Sequence, residues 1–210
     1  MTKHLFYISP CLEEKSYGGS VVAKSNLEAV MNIHGYSTLA LSVNRRASNK
    51  YIKVPTTESR VGTALANLCL LCATLSPKGV YFLLKKIRLQ KPEIIWLDSS
   101  LFGILVPFIN LLSSRSKIIC YLHNIEAPIV KNYAKKQPFY WISYVATAVN
   151  EFLSIRRSDL LIAIHQTDEK ILKSRNPRAL TYCLPASISD NFDETAQAQM
   201  IKISNIPYAL

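Results

Sequence analysis

His123, Asn124 and Glu126 stand directly after a short apolar run, residues 118–122 (Ile-Ile-Cys-Tyr-Leu). An imidazole, an amide and a carboxylate within four positions can donate, accept and move protons, the repertoire that acid–base and group-transfer chemistry requires. A continuous apolar run of this length reads as a strand buried on both faces. In open α/β sheets, ligands bind in the crevice outside the carboxyl ends of the strands. The run and its polar end therefore predict the floor of an active-site cleft. A histidine hydrogen-bonded inside the core is the competing reading.

Other strand ends carry similar groups. Residues 93–97 read as a buried strand that stops at Asp98, Ser99 and Ser100. Such a triplet caps a following helix, here one expected from Leu101, and it also lines a cleft. Residues 159–164 form a further strand, followed by His165. Near the N-terminus a strand over residues 4–9 leads through a loop containing Gly18, Gly19 and Ser20 into a helix marked by Ala23, Leu27, Val30 and His34. Strand, glycine loop and helix point free backbone N–H groups at an anion. The segment reads equally as an ordinary turn, and it is neither a nucleotide P-loop nor a G-x-G-x-x-G fingerprint.

The elements that must hold these groups follow from hydrophobic spacing. A strand is expected at residues 38–43 and an exposed polar loop at 44–58. Helices are expected at 61–75 and 78–90, with Pro77 near the start of the second. In the second, Val80, Leu83, Leu84 and Ile87 share one face, and Lys78, Lys85 and Arg88 lie away from it. Residues 127–137 are basic and partly helical. A long helix over 138–157 carries Trp141, Val145, Ala148, Phe152 and Ile155 at helical spacing, which predicts a core-facing stripe. A short helix at 168–174 and a strand at 180–184 complete the pattern. Strands and helices alternate throughout, so the expected class is α/β, a parallel sheet with helices on both faces.

With 210 residues and 49% hydrophobic composition the chain can build a substantial core. Its formal charge is +11, which suits anionic partners: phosphorylated small molecules, nucleic acid or an anionic leaflet. Between Glu58 and Glu93 there is no acidic residue, whereas Arg60, Lys78, Lys85, Lys86, Arg88 and Lys91 fall there. No stretch reaches the ~20 apolar residues of a membrane span; residues 101–112 come nearest and are interrupted by Gly103, Pro107 and Asn110. Five cysteines in mainly apolar settings read as buried reduced thiols of a cytoplasmic protein. Cys69 and Cys72 form a C-x-x-C without a second pair or histidines, so a metal or redox site is not expected there.

Four segments, SYGGSVVAKSNLEAVMNIHGYSTLALS, IIWLDSSLFG, IICYLHNIE and RRSDLLIAIHQTDEKIL, carry a resemblance. In their order, over about residues 3–192, the chain resembles the N-terminal half of a GT-B-type glycosyltransferase, close to the family-four retaining enzymes that build bacterial surface polysaccharides. The resemblance implies a Rossmann-like domain over residues 1–188 and, at 189–210, a hinge and the cut-off start of a second domain. His165 departs from the pattern, because the family more often has serine there. Carried over by position, Gly18 and Gly19 face the donor diphosphate and the acceptor with Ser20 in the substrate-binding set, and His123, the candidate catalytic residue, approaches the donor sugar near the reacting centre. Asn124 and Glu126 shape the acceptor side, and Asp98, Ser99 and His165 complete the substrate-binding set.

What the resemblance implies further is a transferase with a nucleotide-sugar as co-substrate, no cofactor and no metal. In the family a C-terminal domain holds the nucleotide-sugar, so this chain is expected to be the acceptor-binding half, inactive without a donor-domain protein. The alternative is a non-catalytic acceptor-binding subunit of a two-chain transferase. The expected acceptor is a sugar, polysaccharide or lipid-linked sugar at the inner face of the cell membrane. The basic helix 78–91, Lys131, Lys135 and Lys136, and the aromatic cluster Phe139, Tyr140, Trp141 and Tyr144 suit an anionic leaflet. A surface helix with a solvated charged face explains residues 78–91 equally well. Nucleic acid is not an expected partner, because charge alone suggests it and no recognition-helix signature is present.

Overall fold

A computed structural model describes residues 3–13, 18–46 and 49–185. Among these, seven strands form one all-parallel sheet: β1 (Lys3–Ser9), β2 (Tyr36–Ser42), β3 (Ile52–Lys53), β4 (Ile94–Leu97), β5 (Lys117–Leu122), β6 (Leu160–Ala163) and β7 (Leu180–Cys183). Their order across the sheet is β3-β2-β1-β4-β5-β6-β7. The chain winds from β1 out to one edge, then returns to β4 and winds out to the other, so the order reverses between β1 and β4. This is the doubly wound, Rossmann-like arrangement, whose crevice opens at that reversal point. The expected second-domain segment, residues 189–210, lies outside the described residues.

Alternating side chains divide the sheet into two faces. Phe6, Ile8, Ile95, Leu97 and Ile118 point to one side and are fully buried against α3 (Pro77–Gln90) and α4 (Leu105–Leu112). Further along the same side, Cys120, Leu122, Leu161 and Ala163 meet Ile155 of α6 (Tyr140–Arg157) and Leu172 of α7 (Gln166–Arg175). The other face presents Tyr7, Trp96, Tyr121 and Ile162 to α1 (Gly18–Met31), which contributes Val22, Ala23, Leu27 and Val30. Strands buried on both sides must be apolar throughout, which is why they stand out as continuous runs.

Several expectations change in three dimensions. Gly18 and Gly19 belong to the first turn of α1 rather than to the loop before it. The polar stretch after β2 contains β3, paired parallel to β2. The helix expected over residues 61–75 stops early: α2 spans Arg60–Leu68, and Leu70, Ala73 and Thr74 then take left-handed backbone conformations. Three non-glycine residues in that region cannot continue a right-handed helix.

The largest correction concerns α6. Trp141, Val145 and Phe152 of the expected core stripe are exposed, and only Ile155 is fully buried. The buried face is instead Ala146, Thr147, Asn150, Glu151 and Ser154. Asn150 explains the inversion. Its Nδ2 donates to Leu70 O at 2.7 Å and Ala146 O at 2.8 Å, and its Oδ1 accepts from Ile104 N at 2.8 Å. Ser154 Oγ donates to Ser100 O at 2.9 Å. Gly103 lets α6 approach this closely, since a Cβ there would lie 1.8 Å from Asn150 O. The polar face satisfies loop backbone that would otherwise be buried without partners.

Candidate active site

A cleft of about 1420 Å³ opens at the carboxyl ends of the strands. Each wall comes from a strand end or the element after it. His123, Asn124 and Glu126 follow β5, Ser99 follows β4, and Ile164 and His165 follow β6. Gly18, Gly19 and Val22 of α1 form the opposite side, with Asn44, Arg45 and Arg46 from the end of β2. Ala73 and Thr74, two of the left-handed residues after α2, complete it.

The floor is built around Asp98. This side chain is fully buried at the end of β4, beside the end of β1. Its Oδ2 accepts from Ser9 Oγ at 2.7 Å, and Ser9 Oγ in turn accepts from Cys11 N at 3.1 Å. Its Oδ1 lies 3.5 Å from His123 Nε2, close enough for a charge contact but too long for a well-formed hydrogen bond. His123 is 15% exposed, with one edge to the cleft and its ring packed edge-on to Tyr121 at 5.1 Å. Burial disfavours its charged form, yet Asp98 outweighs burial and the imidazole pKa is raised above its ordinary 6.5. Burial also raises Glu126, reinforced by the Glu151 carboxylate and offset in part by His123 and Asn124.

The α1 side is suited to anions. Its first turn carries no acidic residue, and first-turn N–H groups lack helical partners. Gly18 has no positive φ, and a Cβ added there would meet nothing within 4 Å. The fold therefore does not itself require glycine at that position, and its lack of a side chain adds no bulk between the start of α1 and the cleft.

Arg45 and Arg46 were read only as part of an exposed loop. Arg45 is anchored, its Nε donating to Thr57 O at 2.7 Å and its Nη2 to Ser59 O at 3.0 Å and to Thr63 Oγ1. Asn44 ties the same segment to Pro10 O at 3.1 Å and accepts from Arg46 N at 2.9 Å. The positive edge is thus held by its own loop. A basic pair directly after a strand in a parallel sheet is the signal that locates it.

No protein-family model matches the chain, and no curated protein sequence is similar to it.

Of the nine expected site residues, seven line the cleft: Gly18, Gly19, Ser99, His123, Asn124, Glu126 and His165. Ser99 also caps the short turn Ser100–Phe102, its Oγ accepting from Leu101 N at 3.2 Å. Asp98 and Ser20 are not on the wall. Asp98 lies beneath His123, and Ser20 is fully buried within α1. Cys69 is exposed and Cys72 is buried, with burial pushing the Cys72 thiol up to about 11. Such a thiol is protonated at neutral pH and is a poor nucleophile or metal ligand.

The assembled groups can hold an anion between the α1 amides and the arginine edge. They can also present an imidazole whose charged form Asp98 favours, an amide and a carboxyl to a polyhydroxylated molecule on the β5 side.

Proposed function

We propose that this chain is the acceptor-binding half of a retaining glycosyltransferase that draws on a nucleotide-sugar. The observation that carries this reading is the buried Asp98 behind His123, set at the sheet's reversal point and facing an anion-friendly helix start across an open cleft. A retaining transfer must hold an acceptor hydroxyl beside the anomeric carbon and stabilise the departing diphosphate. His123, whose charged form Asp98 favours, reaches the donor sugar near the reacting centre. The α1 amides at Gly18 and Gly19 and the Arg46 edge face the phosphates. Asn124 and Glu126 orient the acceptor hydroxyl, and Ser99 and His165 bound the pocket. The second wall of the reaction site, which grips the nucleotide, comes from a donor-binding domain. The acceptor is a sugar carried on a lipid at the inner face of the cell membrane. No helix among the described residues is long and apolar enough to cross a membrane.

The test is incubation of the protein, in the form its cell produces, with labelled nucleotide-sugars and membrane extract. Label moving into a lipid-extractable product is the expected result. Absence of transfer from every nucleotide-sugar, with intact folded protein present, refutes the reading.

A further inference from the structure

The inverted polarity of α6 leaves an apolar surface uncovered. Phe139 is 90% exposed and Trp141 44%, with Tyr140, Ile142 and Val145 exposed beside them. They gather at one end of a helical hairpin. α5 (Glu126–Lys136) and α6 run antiparallel: Ala127 N donates to Glu151 Oε2 at 3.0 Å at the base, and the Tyr133 and Tyr140 rings lie 6.1 Å apart near the tip. Glu126 at the base lines the cleft, and α5 carries the chain roughly 16 Å from there to the tip.

Charge is one-sided on this hairpin. Between Glu126 and Glu151 the sequence holds Lys131, Lys135 and Lys136 and no acidic residue. All three lysines are exposed. Exposed aromatics interleaved with lysines are what an anionic lipid surface binds, because rings enter the headgroup layer and cations meet the phosphates. A merely solvated helix face would be polar, which this one is not. Helix α3, the other basic candidate, exposes two large apolar side chains, Tyr81 and Leu89, against five at the hairpin tip. Its apolar face, Leu83 and Ile87, is fully buried against the sheet.

We propose that the tip of the α5–α6 hairpin docks the protein on an anionic membrane surface, with the cleft beside the lipid headgroups. This names the surface that would bring a lipid-borne acceptor to the site proposed above, and it stands on the hairpin itself. Three lysines near an anionic surface give on the order of a 100-fold preference for anionic over neutral vesicles.

The test is co-sedimentation of the full chain with phosphatidylcholine vesicles, with and without phosphatidylglycerol. Wild-type protein binds the anionic vesicles. F139S/W141S and K131E/K135E/K136E each lose at least about tenfold, with unchanged circular dichroism because the altered side chains are exposed. His123→Ala binds as wild type. Failure of wild type to bind, or equal binding by F139S/W141S, overturns the proposal. So does concentration-dependent dimerisation abolished by F139S/W141S without vesicle binding, which assigns the face to a second copy. Vesicle binding lost only in the hairpin variants, with no sugar transfer found, sinks the transferase reading and leaves the docking surface standing.

Discussion

At the scale of single residues, the contact between His123 and Asp98 decides what the cleft can do. Burial alone would lower the His123 pKa, whereas the carboxylate behind it favours the imidazolium. Asp98→Asn therefore lowers the His123 pKa to or below the ordinary 6.5, because burial remains and the opposing charge is gone. Imidazole proton shifts followed against pH measure this directly, and an unmoved titration would show that Asp98 does not govern the histidine. The linkage sign follows. A raised folded-state pKa contributes stability that is fully present below 6.5 and is lost as pH rises through the raised value. Gly18 makes a second, opposite kind of prediction. Gly18→Ala leaves the melting temperature unchanged or slightly higher, since its Cβ meets nothing and alanine favours helix. The same change raises KM for a phosphate-bearing substrate by hindering approach to the α1 amides. An unchanged KM would remove α1 from the site.

At the scale of elements, the helix α6 shows where periodicity misleads. The spacing of Trp141, Val145, Phe152 and Ile155 is helical, and the helix is there, but the stripe faces mainly outward. The inward face is polar because Asn150 and Ser154 satisfy loop carbonyls and an amide, which no local pattern announces. The early end of α2 was hidden for a related reason: Leu70, Ala73 and Thr74 turn left-handed without a glycine or proline to mark the stop. The strands were legible because burial on both faces demands unbroken apolar runs, as in β5. His123, Asn124 and Glu126 were legible for the complementary reason, as polar residues placed at the end of such a run. Arg46 was not, because its role depends on where β2 ends relative to α1. Asn150→Leu strands Leu70 O and Ile104 N and costs about 3 kcal/mol, lowering the melting temperature by roughly 10 °C. Urea unfolding checks this, and a loss within experimental error would mean that α6 is not held by its polar face.

At the scale of the whole molecule, positive charge gathers in the cleft, on the α5–α6 hairpin and along α3, which carries Lys78, Lys85, Lys86 and Arg88. The cleft gathers positive character at Arg46 and the start of α1, beside the reversal between β1 and β4, with Glu13 and Glu126 as the carboxylates on its wall. The hairpin gathers it at Lys131, Lys135 and Lys136 around Phe139. Because Glu126 belongs both to the cleft wall and to the base of the hairpin, the proposed docking tip and the cleft are joined by one short helix. That continuity is what favours the proposal of a lipid-borne acceptor over one free in solution.

The most direct test of the central claim compares wild type with His123→Ala in sugar transfer. Both are made in the form the cell produces and assayed with labelled nucleotide-sugar and membrane extract. The account predicts at least about a 100-fold fall in turnover, with the folded state intact by circular dichroism and vesicle binding retained. Transfer by His123→Ala at the wild-type rate would contradict it, and the chemistry would then belong elsewhere than at the end of β5.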